Sequence, residues 1–514
     1  MFKNYFKTAW RYFIKSRFYS ALNVLGLATG ITFTLLIGSY IWTQLQVNGD
    51  LRNPDRQYII QSKWKNAHEG YDFTTLGPLA KALKEHYPTL VANYYRYDGV
   101  STNVSSGKEH FREELQIGDS TLLGMFGFHL LYGDAATALN QPFSVVISKA
   151  KAIKYFGSTD VVGKTMTIEN FSGGRHGFRV TGIIEKVTKS SVTQLTDAAP
   201  DAIFVSVANL DFFGRNMEWR NRHIAAFIEL QQGVDPGQLI SPMKELIKQN
   251  AAPEVAADLI PELTSLKLFY LNANNGLVRK MLYALSAIAV FILAMAIINF
   301  MNMSVSRSRE RMREIGVRKV LGGLKKQLLF QFLTESVIVV FIATILALLL
   351  FSMGSTFFSG LLNSTIPSFS QFPACFIGIL IVFILFVGVL AGLYPALILS
   401  SFKSVDSLKG KSAPLKGSLF FRKSLIVFQI VTALVAFTGA IIISKQIDFF
   451  LNDNLGYDKN DILSAQLPRN WTKEGVDKME TIRNEFSRMR EVKEVSLSFD
   501  IPDGNNSNEI PLFR

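Results

Sequence analysis

Five runs in this chain are too long and too apolar to be ordinary core segments: 19–43, 281–303, 328–351, 373–400 and 424–444. A helix of about 20 apolar residues crosses a hydrocarbon layer of about 30 Å. The chain is therefore expected to carry five transmembrane helices. Residues 44–280 contain no such run and are long enough to hold a core of their own. The fold class read from this pattern is an α-helical membrane protein with an α/β extracytoplasmic domain.

The charge is placed accordingly. The chain has 514 residues, is 48% hydrophobic and carries a net charge of +13. Three short segments beside the apolar runs, 1–20, 304–327 and 402–423, carry net charges of +5, +6 and +5, which leaves the remainder net negative. A basic excess confined to membrane-flanking loops marks the cytoplasmic side; it is not the footprint of a nucleic-acid binder. The N-terminus, the 304–327 loop and the 402–423 linker are thus expected to be cytoplasmic. Cys375 is the sole cysteine, so no intrachain disulfide and no cysteine metal site can form. The six histidines are scattered, and no metal, cofactor or catalytic constellation is expected.

Within the 304–327 loop, eight basic and two acidic residues accompany an ordered apolar pattern. Val317, Val320, Leu321, Leu324 and Leu328 share one helical face. Glu314 precedes Arg318 by four residues, the favourable order for an ion pair. Gly322-Gly323 should break the helix. Two readings weigh against each other: a plain anchor on anionic lipid, and a docking element for a cytoplasmic partner. The paired glutamates and the apolar stripe favour the second.

Arg311-Met-Arg-Glu-Ile-Gly-Val-Arg-Lys-Val-Leu-Gly-Gly323, followed by Gln331-Phe-Leu-Thr-Glu-Ser336, resembles the signature of MacB/FtsX-type ABC transporter permeases. In that family the loop is similar to a coupling helix seated in a groove of a separate ATPase. The resemblance assigns ATPase docking to Arg311, Glu314, Ile315, Gly316, Arg318 and Lys319. It extends to Asn23–Gly30 in the first span, to Val145–Thr165 as a MacB-like periplasmic core domain, and to Ala391–Lys403 at the end of the fourth span. Ser404 stands where proline is common in relatives.

The chain in order gives the remaining expectations. Residues 1–18 alternate Lys3, Lys7, Arg11 and Lys15 with Phe2, Phe6, Trp10 and Phe13, as an amphipathic helix lying on the bilayer does. In the first span Gly26 and Gly30 form a GxxxG pair, and Gly388 and Gly392 form another in the fourth; both predict close helix packing. Pro395 should kink the fourth span. Strands are predicted at 57–62, 91–97, 111–117, 161–168, 177–184, 202–207, 224–230 and 264–270, and helices at 76–86, 148–156 and 235–249. The stretch 186–200 reads as a loop. Gly163-Lys164-Thr165 and Gly410-Lys411-Ser412 imitate the end of a phosphate-binding loop, but Ser158 and Val405 stand where its first glycine is required. Inside the membrane, Asn299 and Asn302 should bond neighbouring helices. Glu335 shares a stripe with Gln327 and Gln331, as a contact within the bundle or as a proton or substrate group.

After the fifth span the N-terminal pattern returns. A strand at 461–467, a helix at 475–489 and a strand at 492–500 parallel 44–98, so 445–514 read as the start of a second periplasmic domain, in a second half expected to be truncated at Arg514 before its counterparts of spans two to four.

The resemblance implies the membrane subunit of an ABC transporter in the bacterial inner membrane. It would couple hydrolysis of ATP, bound by the partner subunit, to extracytoplasmic movement and export or extraction of a substrate. Partners implied are the ATPase, the bilayer, a periplasmic adaptor and a second permease half or second copy. The alternatives are an FtsX-like signalling scaffold acting on cell-wall enzymes and a peptide-antibiotic sensor.

Overall fold

The computed structural model describes residues 17–65, 73–187, 189–195, 202–306, 308–362, 364–401, 416–452, 462–464 and 472–498, with Lys7, Trp10, Arg11, Phe13 and Ile14. Most of the amphipathic 1–18 segment and of the 402–423 linker lies outside them. The chain forms two compact units, Met1–Leu45 with Leu277–Ile462, and Gln46–Gly276 with Leu463–Arg514.

In the second unit ten strands form one sheet: β1 (Gln57–Trp64), β2 (Val91–Ser106), β3 (Glu109–Gly118), β4 (Leu130–Gly133), β5 (Ser144–Ser148), β6 (Thr165–Glu169), β7 (Arg175–Ile184), β8 (Ile203–Ser206), β9 (Ala225–Leu230) and β10 (Leu259–Ser265). Their order is β10-β1-β9-β2-β3-β8-β5-β7-β4, with β6 bridging β2 and β7. Two pairings, β3 with β8 and β5 with β7, are parallel. The outer half of β2 alternates: Val100, Thr102 and Val104 are buried while Ser101, Asn103 and Ser105 are half-exposed. That is the period of a strand with one wet face.

Helices Leu79–His86 and Ile240–Asn250 cover part of the sheet, with Leu79, Leu83, Met243 and Leu246 buried against Ile60 and Ile228. Each such aliphatic side chain contributes about 1.5–3 kcal/mol when fully buried. Tyr95, Phe126 and Phe227 fill another part of the core, edge-on and stacked at 5.7–6.2 Å. Helix Lys149–Phe156 is capped by Ser148, whose hydroxyl accepts from the Lys151 N–H at 3.2 Å, and ends on Gly157 at φ 69°. A phosphate loop must lead into a helix N-terminus. Gly157 instead closes a helix, and Thr165 opens β6.

The strand expected at 264–270 is corrected. The chain pairs as β10 only to Ser265 and turns helical at Leu266. β4 and β5 were absent from the expected strands. The run Ser144–Ser148 is buried throughout, and a short run buried on both faces lacks the alternation that distinguishes strand from helix. A strand was also expected across 492–500, yet residues 492–498 form no ladder. Strand sequence without a pairing neighbour leaves its backbone to water. The helix expected at 475–489 is present as Lys473–Ser487.

Five helices of the described residues are long and apolar enough to cross a membrane: Arg17–Leu45, Asn275–Ser306, Lys325–Leu361, Cys375–Ser400 and Lys423–Phe450. The second begins earlier than the apolar run, within a helix that starts at Leu266. Asn275 and Gly276 in that helix take left-handed φ values of 56° and 72°. Two left-handed residues interrupt the right-handed ladder locally.

Small residues let the spans approach. A Cβ on Gly30 would come within 2.5 Å of the Ala296 Cβ in the second span. On Gly388 it would meet the Val337 backbone at 2.9 Å, and on Gly392 the Ser336 hydroxyl at 2.6 Å, both in the third span. At Gly26 the nearest atom would be the Asn299 Nδ2 at 3.4 Å. Asn299 itself is exposed. Asn302 donates to Gln429 Oε1 of the fifth span at 3.1 Å.

Candidate functional site: the loop helix and its socket

The loop between the second and third spans is a helix from Ser308 to Val320. Gly322, at φ 90°, ends it, and the third span's helix restarts at Lys325. The described side chains of the loop begin at Glu314, so that of Arg311 lies outside them.

One side of this helix is anchored in its own chain. Ile315 is 2% exposed, packed with Leu328 and Phe332 of the third span and Ala396 and Leu399 of the fourth. Gly316 beside it is buried too. Arg318 pairs with Glu314 at 2.8 Å and donates through Nη1 to the side-chain oxygen of Gln331. Gln331 is buried, and its amide nitrogen donates to Glu335 Oε1 at 3.1 Å. Lys319 Nζ donates to the Ser400 carbonyl at 2.8 Å, one residue before the fourth span's helix ends. A lysine there satisfies a terminal carbonyl and meets the negative end of the helix dipole. Burial, and then the charge of Lys325, lowers the Lys319 ammonium below its ordinary pKa. Pro395, one turn earlier, removes the N–H that would have bonded the Ala391 carbonyl.

The other side is open. Val317 is 45% exposed, Val320 62%, Leu321 81% and Leu324 63%. Leu328, expected on the same stripe, is buried at 3% because the third span's helix has already begun. The structure thus divides the six expected docking residues. Ile315, Gly316, Arg318 and Lys319 are engaged by their own bundle, and Glu314 is exposed and paired with Arg318. The outward aliphatics were visible in the sequence as a stripe. Nothing local distinguished a stripe that faces out from one that faces in.

Comparison with known proteins bears on this arrangement. Residues 20–246 match the model of the MacB-like periplasmic core domain, and residues 286–404 match that of the FtsX-like permease C-terminal domain. A pyoverdine export ATP-binding/permease protein of Pseudomonas savastanoi pv. phaseolicola is 25% identical over 348 residues, 64% of this chain and 48% of the relative. A macrolide export ATP-binding/permease protein of Bdellovibrio bacteriovorus is 25% identical over 268 residues, 51% of this chain and 38% of the relative. The chain therefore spans about half or less of those relatives. The crystal structure of the periplasmic region of MacB from Actinobacillus actinomycetemcomitans aligns with 43% of this chain and 93% of its own, at 12% identity and a TM-score of 0.32. With a MacB-like core domain followed by an FtsX-like domain, and with apolar helices flanking both, this multi-pass membrane protein belongs to the MacB/FtsX-type ABC transporter permeases.

Proposed function

We propose that this chain is the membrane subunit of an ABC transporter in the bacterial inner membrane, and that the Ser308–Val320 helix receives the stroke of a separate cytoplasmic ATPase. The observation that carries the reading is the two-sidedness of that helix. Ile315 fixes one side into the third and fourth spans, while Val317, Val320, Leu321 and Leu324 stand uncovered on the loop. Exposed aliphatics rimmed by Lys325 and Lys326 suit a groove that is apolar at its floor and acidic at its edge. The docking surface is accordingly assigned to the outward aliphatics and the exposed Glu314, while Arg311 keeps its docking role on the family resemblance alone. Ile315, Gly316, Arg318 and Lys319 pass the push into the bundle. The basic loops support a cytoplasmic side for the N-terminus and this helix. ATP is bound and hydrolysed by the partner, and this chain is non-catalytic. Its extracytoplasmic domain would respond by expelling or extracting a substrate, together with a second permease half or copy and a periplasmic adaptor. Relatives named for pyoverdine and macrolide export favour transport over signalling.

The test is association. The tagged chain is purified from native membranes and the co-eluting ATPase is quantified. Leu321→Asp with Val320→Asp is expected to lower it at least tenfold, with membrane insertion unchanged by protease protection. Unchanged co-elution, or labelling of a cysteine at 320 by an impermeant reagent from outside intact cells, overturns the reading.

A further inference from the structure

Four helices of the membrane unit line a partly open cavity of about 70 Å³ that shares Phe332 and Leu399 with the socket of Ile315. Among its lining residues are Tyr19 and Asn23 of the first span, Ser304 of the second, Glu335 and Ser336 of the third, and Pro395 of the fourth. Asn23 is 3% exposed, and its side-chain oxygen has no hydrogen-bond partner among the described residues. A buried amide oxygen without a donor is a standing cost. The space beside it is large enough for water, and amid a mainly apolar wall it offers polar partners in Tyr19, Ser20, Ser304, Glu335 and Ser336. On the loop side, Glu335 is reached by the chain already described, from Glu314 to Arg318, to Gln331, to Glu335.

We infer that Arg318, Gln331 and Glu335 form a positioning relay, and that water in this cavity carries it on to Asn23 of the first span. The proposal rests on the coupling role of the loop helix and adds how its movement enters the bundle. Gln331 is suited to the middle place because a side-chain amide accepts at one end and donates at the other. Its oxygen takes the Arg318 guanidinium and its nitrogen serves the Glu335 carboxylate. A leucine there would fill the volume and do neither. A glutamate would hold Arg318 but face Glu335 with a like charge. The Ile315 socket holds the loop to the third and fourth spans by apolar contact. The relay adds a directional connection through Glu335 to the first span, whose helix ends at Leu45 where the α/β unit begins. Water is the fitting last member: it can donate to two acceptor oxygens at once and re-form those bonds after a shift.

The experiment uses the full chain in nanodiscs with Cys375→Ser and a spin label at Val320→Cys, the label reporting the mobility of the loop helix. Gln331→Leu is expected to shorten the label's correlation time about twofold. Glu335→Leu, which removes the acceptor of the Gln331 amide, should do the same, whereas Glu335→Gln, which still accepts from Gln331, should keep the wild-type spectrum. Radiolytic hydroxyl footprinting of the same sample should oxidise Phe300 and Phe332, which line the cavity yet are only 4% and 5% exposed, because bound water generates radical beside them. An unchanged spectrum for Glu335→Leu, or unmodified Phe300 and Phe332, overturns the relay. Neither measurement needs the ATPase. A failed relay with intact ATPase co-elution, and an intact relay with no ATPase bound, are therefore separate results.

Discussion

Two arginine–carboxylate pairs, one in each unit, are built for opposite purposes. In the α/β unit, Arg96 and Asp119 are each 8% exposed and bonded by two parallel contacts of 2.9 Å. The Arg96 backbone N–H also donates to Asp119, and its remaining nitrogen donates to the Gly77 carbonyl. Around the loop helix, Glu314 and Arg318 are 43% and 37% exposed and lie on one helical face. The first pair is largely withdrawn from water and is fixed by every partner it holds. The second keeps water as an alternative partner, so separating it costs little. Permanence follows from desolvation, whereas a half-wet contact can be broken and re-formed at little cost.

The largest effect expected from this contrast is at the buried pair. Arg96→Ala should destabilise the α/β unit by about 3–5 kcal/mol, because it leaves the Asp119 charge buried alone. Urea unfolding of the full chain, followed by tryptophan emission, measures this. A loss below about 1 kcal/mol would mean that water reaches Asp119 and would erase the contrast.

A third carboxylate sharpens the comparison. Asp98 is buried in the same unit, but its partner Arg215 stands 3.8 Å away and is itself exposed. Burial, only partly offset by Arg215, raises its pKa from 3.8 to about 6. The folded state therefore prefers the protonated carboxyl. The stability this group contributes is full below about pH 4 and is lost as pH rises through about 6. Asp98→Asn should stabilise the unit by up to about 3 kcal/mol above that window and change little below it. Melting temperatures of both proteins between pH 4 and 8 give the curve. Parallel curves would show that Asp98 ionises without a penalty.

The smallest effect is expected at the loop. Glu314→Gln should alter stability by no more than about 0.5 kcal/mol, the worth of an exposed i,i+4 pair. The same urea titration applies, and a shift above about 1 kcal/mol would place this pair with the buried ones.

Much of this was legible before folding. Hydrophobic length is a local property, so the number of long apolar helices could be read from the sequence, while the third runs on to Leu361 and the fifth to Phe450. The early start of the second helix at Leu266 was not legible, because polar residues such as Asn274 and Asn275 interrupt the apolar run. The helical loop and its break at Gly322 follow from 3.6-residue periodicity and from the left-handed freedom of glycine. Gly30 and Gly388 stood out because small residues at four-residue spacing have few other uses in a membrane.

What the sequence determined by itself is thus whatever depends on residues within a turn or a span of one another: the membrane crossings, the basic loop, the helix and the place where it stops. Tertiary structure alone decided that Ile315 is gripped while Leu321 is bare, that Gln331 faces Arg318, and that β5 is a central strand. Those outcomes depend on Ala396, Leu399, Ser400 and the strands β7 and β8, which are distant in the chain. Burial is a relation between such distant parts, and a periodic pattern gives the angle of a stripe without stating what stands opposite it.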